Sequence, residues 1–254
     1  MSDPHAIRFE SVSKRYQDRA VLEDFCLEVF SGELLAVIGA SGSGKTTILK
    51  LINGLIEPDA GRVMVEDRDV AAMSEQDRIT LRRHIGYVIQ GIGLFPHLTI
   101  EANIAYVPGL LGGDTRSVRR RVRELCAVVG LEEDLLGRHP AALSGGQQQR
   151  VGIARALAAS PRIVLMDEPF GAVDAITRTH LQDEITRIHA AMGMTVVFVT
   201  HDVDEALKLG SRILVMAEGG MQQLADPETM LAAPATAFVA ELLESSHAHT
   251  RAAC

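Results

Sequence analysis

Residues 39–46 read Gly39-Ala40-Ser41-Gly42-Ser43-Gly44-Lys45-Thr46, which fills every fixed position of the pattern G-x-x-x-x-G-K-[ST]. The flanks constrain the fold as strongly as the loop does. Glu33-Leu34-Leu35-Ala36-Val37-Ile38 before it is an apolar run of the kind a buried strand uses. After it, residues 47–56 carry Ile48, Leu51, Ile52, Leu55 and Ile56, which is helical spacing. Strand, glycine loop and helix in that order make a phosphate-binding turn. The glycines let the backbone N–H groups curl inward, and the helix N-terminus adds partial positive charge. Lys45 is expected to reach the β- and γ-phosphates and the Thr46 hydroxyl to sit on Mg²⁺. A glycine-rich turn that carried Gly-Lys-Thr by chance would require neither flank.

Two further stretches bear on the same chemistry. Ile163-Val164-Leu165-Met166-Asp167-Glu168-Pro169 is an apolar strand that ends in two carboxylates. This is the Walker B pattern, in which Asp167 holds Mg²⁺, directly or through water, and Glu168 polarises the attacking water. Adjacent strand residues face opposite sides, so a strand end with two acidic residues also explains the pair; the phosphate loop in the same chain favours the catalytic reading. Leu143-Ser144-Gly145-Gly146-Gln147-Gln148-Gln149-Arg150 opens a helix. There Ser144 can cap, and the glycines expose N–H groups to a second anion.

The rest of the chain supplies a frame. Residues 7–30 alternate as paired strands, 57–61 carry turn chemistry, 62–65 form a short strand, and Ser74 opens a short helix. Residues 85–89 form a strand that ends at Gln90. From about 91 to 160 the texture is helical, with Asp114 capping a helix whose apolar face is Val118, Val122, Leu125 and Val129. The residues 143–160 helix stops at Ser160-Pro161. The apolar runs 162–166 and 195–200 suit a parallel sheet covered on both faces, with a helix between them from about 174 to 192. The expected architecture is therefore an α/β phosphate-binding core of about residues 6–90 and 161–243. An inserted helical subdomain of about 91–160 interrupts it, and a polar tail of 244–254 follows.

The octet 143–150 resembles the LSGGQ signature of ABC ATPases, and the resemblance extends over roughly residues 6 to 243. It implies a single ABC ATPase domain: a RecA-like P-loop NTPase core with an antiparallel β subdomain. The nucleotide is then ATP, bound by Gly39, Ala40, Ser41, Gly42, Ser43, Gly44, Lys45, Thr46 and Thr47. Tyr16 matches the A-loop aromatic that stacks on adenine. Gln90 matches the Q-loop glutamine that senses Mg²⁺ and γ-phosphate, so Thr46, Gln90 and Asp167 form the implied metal set. Glu168, His201 (the switch histidine after Val199-Thr200) and Gln90 are the implied catalytic residues. Ser144, Gly145, Gly146 and Gln147, with the D-loop residue Asp174, are implied to touch the ATP of a second copy. A lone histidine or tyrosine on a strand is more often structural; here each falls in its motif's place.

The segments 85–100, 103–108 and 167–178 are similar to the osmoprotectant importer group, whose solutes are glycine betaine, carnitine and choline. Related importers for amino acids, taurine and nitrate share much of this. Gly91 stands where that group has Gln, Val173 where Leu is usual, and Ala175 where Pro is common. Many members continue into a pair of CBS domains that sense ionic strength, for which the residues up to Cys254 have no room. The implied partners are a second copy, an integral membrane permease and a substrate-binding protein, with the subunit peripheral on the cytoplasmic face of the inner membrane. Residues 91–108 are expected to bear on the permease, and the solute itself is read by other subunits.

Composition narrows the alternatives. The net charge of -8 argues against a nucleic-acid surface. The arginines at 119–121 and 123 have no interleaved aromatics and read as a solvated helix face. Cys26, Cys126 and Cys254 follow no metal spacing and suit a reducing cytosol. His247 and His249 in the tail read as a frayed end. The first five residues lack the layout of a signal peptide, and no window approaches the ~18 apolar residues of a membrane span. A soluble repair or translation ATPase would carry a long coiled-coil insert or two tandem cores. A GTPase would carry an N-K-x-D motif, and a small-molecule kinase would lack the 143–150 octet.

Overall fold

Alternating apolar residues between Ile7 and Val29 fold as a long antiparallel hairpin, and the strand and helix signals after it follow in the expected order. The elements are β1 (His5–Tyr16), β2 (Arg19–Phe30), β3 (Leu34–Gly39), α1 (Lys45–Ile52), β4 (Ala60–Val65), β5 (Arg68–Asp69), α2 (Glu75–His84) and β6 (Ile85–Val88). Then come α3 (Ile100–Leu110), α4 (Thr115–Val128), α5 (Gly145–Leu157), β7 (Ile163–Asp167), α6 (Ala175–Met192) and β8 (Thr195–Val199). The chain ends with α7 (Val203–Leu209), β9 (Arg212–Ala217), β10 (Gly220–Ala225), α8 (Pro227–Ala232) and α9 (Ala237–Ala252). The structure, a computed structural model, describes residues 5–91 and 93–252, with no side-chain detail from 245 onward. The readings of Ile92, His247, His249, Cys254 and the first four residues lie outside it.

The chain divides into two compact units, one made of residues up to 78 and from 195 onward, the other of residues 79–194. In the first unit an antiparallel sheet has the order β2-β1-β4-β5. Phe9 and Phe25 meet edge to face across it, with ring centroids 5.6 Å apart. A second sheet centres on β3, whose residues 34–38 are all buried. It pairs in parallel with β8, Leu34 opposite Val196, and with β9, Ala36 opposite Ile213. Burial on both faces explains why these strands read as unbroken apolar runs. β10 adds antiparallel to β9.

Glu33 is almost fully buried and is held by Arg212 through two bonds, 2.6 Å and 3.0 Å, and by the Phe30 N–H at 2.7 Å. The Arg212 guanidinium also lies 4.8 Å from the Phe30 ring centroid. Removing one partner of such a pair strands a buried charge at a cost of about 3–5 kcal/mol.

Helix α1 is shorter than its apolar periodicity predicts. Ile48, Leu51 and Ile52 are buried, but the helix ends at Ile52 and Leu55 is half exposed. Gly54 takes a left-handed φ of +62°, and the Leu55 N–H turns back to Lys50 O at 2.9 Å. This C-terminal closure overrides the spacing that continues through Ile56. Ser74 accepts from the Asp77 N–H at 3.2 Å, so the expected cap of α2 is present.

In the second unit β6 and β7 pair in parallel, from Ile85 opposite Ile163 to Val88 opposite Met166. Helices α3, α4 and α5 pack on one another, and α5 lies on β6. Their core includes Ile100, Ile104, Val122, Leu125, Val151 and Leu157. Asp114 caps α4 through the Ser117 N–H at 2.9 Å. Arg119, Arg120 and Arg123 engage Glu101, Glu124 and Glu133 in exposed ion pairs, as a solvated face predicts, whereas Arg121 of the same run turns partly inward and donates to Leu157 O at 3.4 Å. Among the described residues no helix is long and apolar enough to cross a membrane.

Candidate functional site

The phosphate loop leaves the C-terminal end of β3 and enters α1 with its backbone strongly constrained. Gly39, Gly42 and Gly44 have φ values of +143°, +76° and +101°. A Cβ on Gly39 would lie 2.0 Å from Met216 O, and one on Gly44 2.7 Å from Val21 O, so neither position accepts a side chain. Lys45 Nζ donates to Gly39 O and Ala40 O, each at 2.8 Å, drawing the ammonium back over the loop. The Ser43 N–H closes the turn onto Ala40 O at 3.2 Å. The side chains of Ser43 and Thr47 are buried, and the Ser43 hydroxyl has no hydrogen-bond partner among the described residues. Ala40, Ser41 and Gly42 are exposed, and Thr46 is half-buried. The N-cap of α1 is Gly44, which offers no side-chain acceptor, and the first turn has no acidic residue. A helix N-terminus left in that state suits an anion.

Tyr16 and His201 belong to the same unit as the loop. Tyr16 is 45% exposed at the end of β1, opposite Arg19 in the hairpin register. Arg19 donates to Gly42 O at 3.4 Å, which brings the hairpin end to the phosphate loop. Arg19 was not predicted as a site residue; its register opposite Tyr16 is the signal that finds it. His201 is exposed one residue after Thr200, whose N–H bonds Val37 O at 3.1 Å. The turn is locked by Thr200 Oγ1 donating to Glu205 at 2.6 Å and by Asp202 capping α7. His201 and the loop thus lie at the carboxyl ends of neighbouring parallel strands, the edge where ligands bind in open α/β sheets.

The other predicted residues belong to the second unit. Asp167 ends β7 and is buried. Glu168 follows with φ +50°, a left-handed conformation uncommon for a glutamate. Gln90 is exposed two residues beyond β6, as Glu168 is two beyond its Met166 partner, so both stand at the same edge of the strand pair. Burial, with a smaller push from Asp167, raises the Tyr87 hydroxyl to about 12, so it stays a neutral hydrogen-bonding group. Gly91 has φ +81°, which favours the glycine found there over the glutamine of the resembling group.

Ser144 caps α5 in a complete capping box: its hydroxyl oxygen accepts from the Gln147 N–H at 3.3 Å, and Gln147 Oε1 accepts from the Ser144 N–H at 2.9 Å. Ser144 and Gly145 are exposed. A Cβ on Gly146 would lie 3.1 Å from Ala172 O, so this glycine lets α5 approach the loop before α6. Asp174 is exposed and caps α6 through the Thr177 N–H at 3.0 Å, and the backbone and side chain of Thr177 hold its carboxyl below the usual range. Val173 is buried as an apolar filler, and Ala175 occupies the first helical position, where proline would also fit.

Beyond Gln90, Asn103 is fully buried and clamps the following loop. It accepts from the Phe95 N–H at 2.8 Å and donates to the carbonyls of Phe95, Leu98 and Thr99. The half-buried Phe95 ring packs on Tyr106 at 4.6 Å and lies 5.6 Å from the Arg155 guanidinium. Among the described residues no group of three or more His, Cys, Asp or Glu could hold a metal by itself.

Comparison with known proteins agrees with this geometry. Residues 22–171 match the family described as ABC transporter. The chain is 47% identical, over 93% of its length, to the carnitine transport ATP-binding protein OpuCA of Listeria monocytogenes, and spans 59% of that relative. It is 46% identical over 96% of its length to the glycine betaine uptake system ATP-binding protein YehX of Escherichia coli, of which it spans 79%. Among solved structures, the dimeric bacterial ABC transporter cassette MJ0796 superposes with a TM-score of 0.83 at 33% identity, covering 87% of this chain and 98% of that one. With a glycine loop shaped for phosphate, a capped 143–150 helix and these likenesses, the chain belongs to the ABC transporter family.

Proposed function

We propose that the chain is the ATP-hydrolysing subunit of an importer for a quaternary-amine osmoprotectant such as glycine betaine, choline or carnitine. The observation that carries the solute class is the likeness to subunits named for carnitine and glycine betaine uptake. The phosphate chemistry rests on the Gly39–Gly44 cradle and Lys45. In this reading the chain is one ABC domain, with a core of about 6–90 and 161–243, a helical subdomain of about 91–160 and a tail of 244–254.

Tyr16 stacks on adenine, and the N–H groups of residues 39–47 and the Lys45 ammonium hold the phosphates. Glu168 accepts the proton of the attacking water, and His201 contacts the γ-phosphate. Thr46, Gln90 and Asp167 would hold Mg²⁺; their donors are all oxygen, as that hard ion requires. Bound there, Mg²⁺ would supply neutralisation of the phosphate charge. Ser144, Gly145, Gly146, Gln147 and Asp174 reach the ATP of a second copy. The dimeric assembly of MJ0796 supports that arrangement, as does the exposure of Ser144 and Gly145. A permease holds the pair at the cytoplasmic face of the membrane, and a substrate-binding protein delivers the solute.

The test of the solute class is co-expression with the neighbouring permease and binding protein, followed by uptake of labelled glycine betaine, choline and carnitine. Uptake of taurine, nitrate or an amino acid instead would replace it. The dimer is tested by sizing Glu168→Gln with and without MgATP. A monomer without nucleotide and a dimer with it are expected, and a monomer in both conditions, even with the permease present, removes the paired site.

The loop after Gln90 is the proposed route to the permease. Phe95→Ala should leave the ATPase rate of the isolated subunit within about two-fold, because Asn103 rather than the ring holds the loop backbone. Permease association and transport should weaken, since a docked aromatic contributes large contact area. Unfolding of the isolated Phe95→Ala chain would make the residue core and end this reading.

A further inference from the structure

We infer that Gln149 is a positioning residue for Glu168, holding the backbone of the catalytic glutamate from the helix that carries the 143–150 octet. The inference rests on reading Glu168 as the base. Gln149 lies on the inward side of α5 and is 4% exposed. Its Nε2 donates to Pro169 O at 2.9 Å and to Glu168 O at 3.3 Å. Both partners are carbonyls, which accept only, so the amide orientation follows from the contacts themselves.

These bonds fall at one of the left-handed, non-glycine positions of the chain. Glu168 has φ +50°, a left-handed conformation that a non-glycine residue adopts at a cost its surroundings offset. The Gly171 N–H also reaches Glu168 O, at 3.4 Å, but closes only the local turn. Gln149 ties this segment to another element, α5. One turn earlier, Gly146 lets α5 sit against Ala172, so the start of α5 rests on the segment running from Glu168 to Asp174. Without the amide, the Glu168–Pro169 backbone can relax toward negative φ, and the carboxylate swings away from its water. The first residues of the same helix, Ser144 and Gly145, are the proposed contacts to the second copy's ATP. Gln149 therefore links the end of α5 that meets one nucleotide to the base that serves the other.

The test uses the full 254-residue chain. Gln149→Leu and Gln149→Met, both near the original volume but without the donor, are made alone and combined with Glu168→Gln. Thermal melting, kcat and the KM for ATP are measured for each. With the donor gone, kcat should fall about 10–100-fold while KM stays within about two-fold, the pattern of a misplaced reacting group. In the Glu168→Gln background the same change should lower the residual rate no further, because there is no base left to place. Unchanged kcat in either folded variant overturns the inference. So does an equal fold loss in both backgrounds, or a joint loss of kcat, ATP affinity and folding in both variants, which marks a purely structural residue. Full activity of Glu168→Gln alone would instead remove the base reading, a failure visible before any Gln149 variant is made.

Discussion

Glu168→Gln should bind ATP as tightly as the parent chain and hydrolyse it about 10²–10⁴-fold more slowly, the usual cost of losing a general base. The amide keeps the volume and the hydrogen-bonding reach of the carboxylate but cannot accept a proton at neutral pH. Gln149 holds the backbone there through the main-chain carbonyls of residues 168 and 169, which the substitution leaves in place. The asymmetry between binding and turnover is the diagnostic feature. Equilibrium titration with a fluorescent ATP analogue gives the first, and single-turnover phosphate release gives the second. An unchanged rate would move the base elsewhere, with His201, exposed at the carboxyl end of β8, the first position to examine.

Lys45→Ala should fail one step earlier, at binding. The ammonium donates to Gly39 O and Ala40 O, so it orders the loop as well as supplying charge. Losing a hydrogen bond to a charged group costs about 1.5–3 kcal/mol, which corresponds to roughly 10–150-fold weaker MgATP binding. The fold should survive, because Lys45 is only half-buried and the core of α1 is formed by Ile48, Leu49, Leu51 and Ile52. Calorimetric titration of the folded variant with MgATP measures the effect. Parent-like affinity would remove the phosphate-loop assignment. Read together, the two variants separate binding from chemistry: Lys45→Ala should lose both, Glu168→Gln only the second.

Much of this was legible in the chain because the relevant signals are local. A strand buried on both faces requires an apolar run, as in residues 34–38 and 195–199. A backbone that must adopt positive φ requires glycine, as at Gly39 and Gly44. A helix start without other partners requires a short polar cap, as at Ser144, Asp114 and Asp174. Each is decided within a few residues, so the order of β3, phosphate loop and α1 and the capped start of α5 could be written down from sequence. The same locality explains the misjudged end of α1. Apolar spacing continues through Ile56, but the closure at Gly54 is a backbone event that periodicity does not register.

Tertiary structure decided what depends on partners far apart in sequence. Three glutamines stand in a row at 147–149, identical in chemistry, and the fold gives them different tasks. Gln147 completes a capping box, Gln148 donates to Pro140 and Leu143 carbonyls, and Gln149 turns inward to residues 168 and 169. Arg19 became a neighbour of the phosphate loop only because the hairpin register sets it opposite Tyr16 and within reach of Gly42. Asn103, an unremarkable polar residue on an apolar helix, proved to be the buried clamp of residues 95–99. Sequence alone determined which backbone shapes and which chemical groups this chain possesses, because propensity, caps and glycine conformations act over short range. Which of those groups is buried, and which carbonyl each donor meets, was set by packing, because burial leaves a polar side chain only the partners that distant segments bring to it.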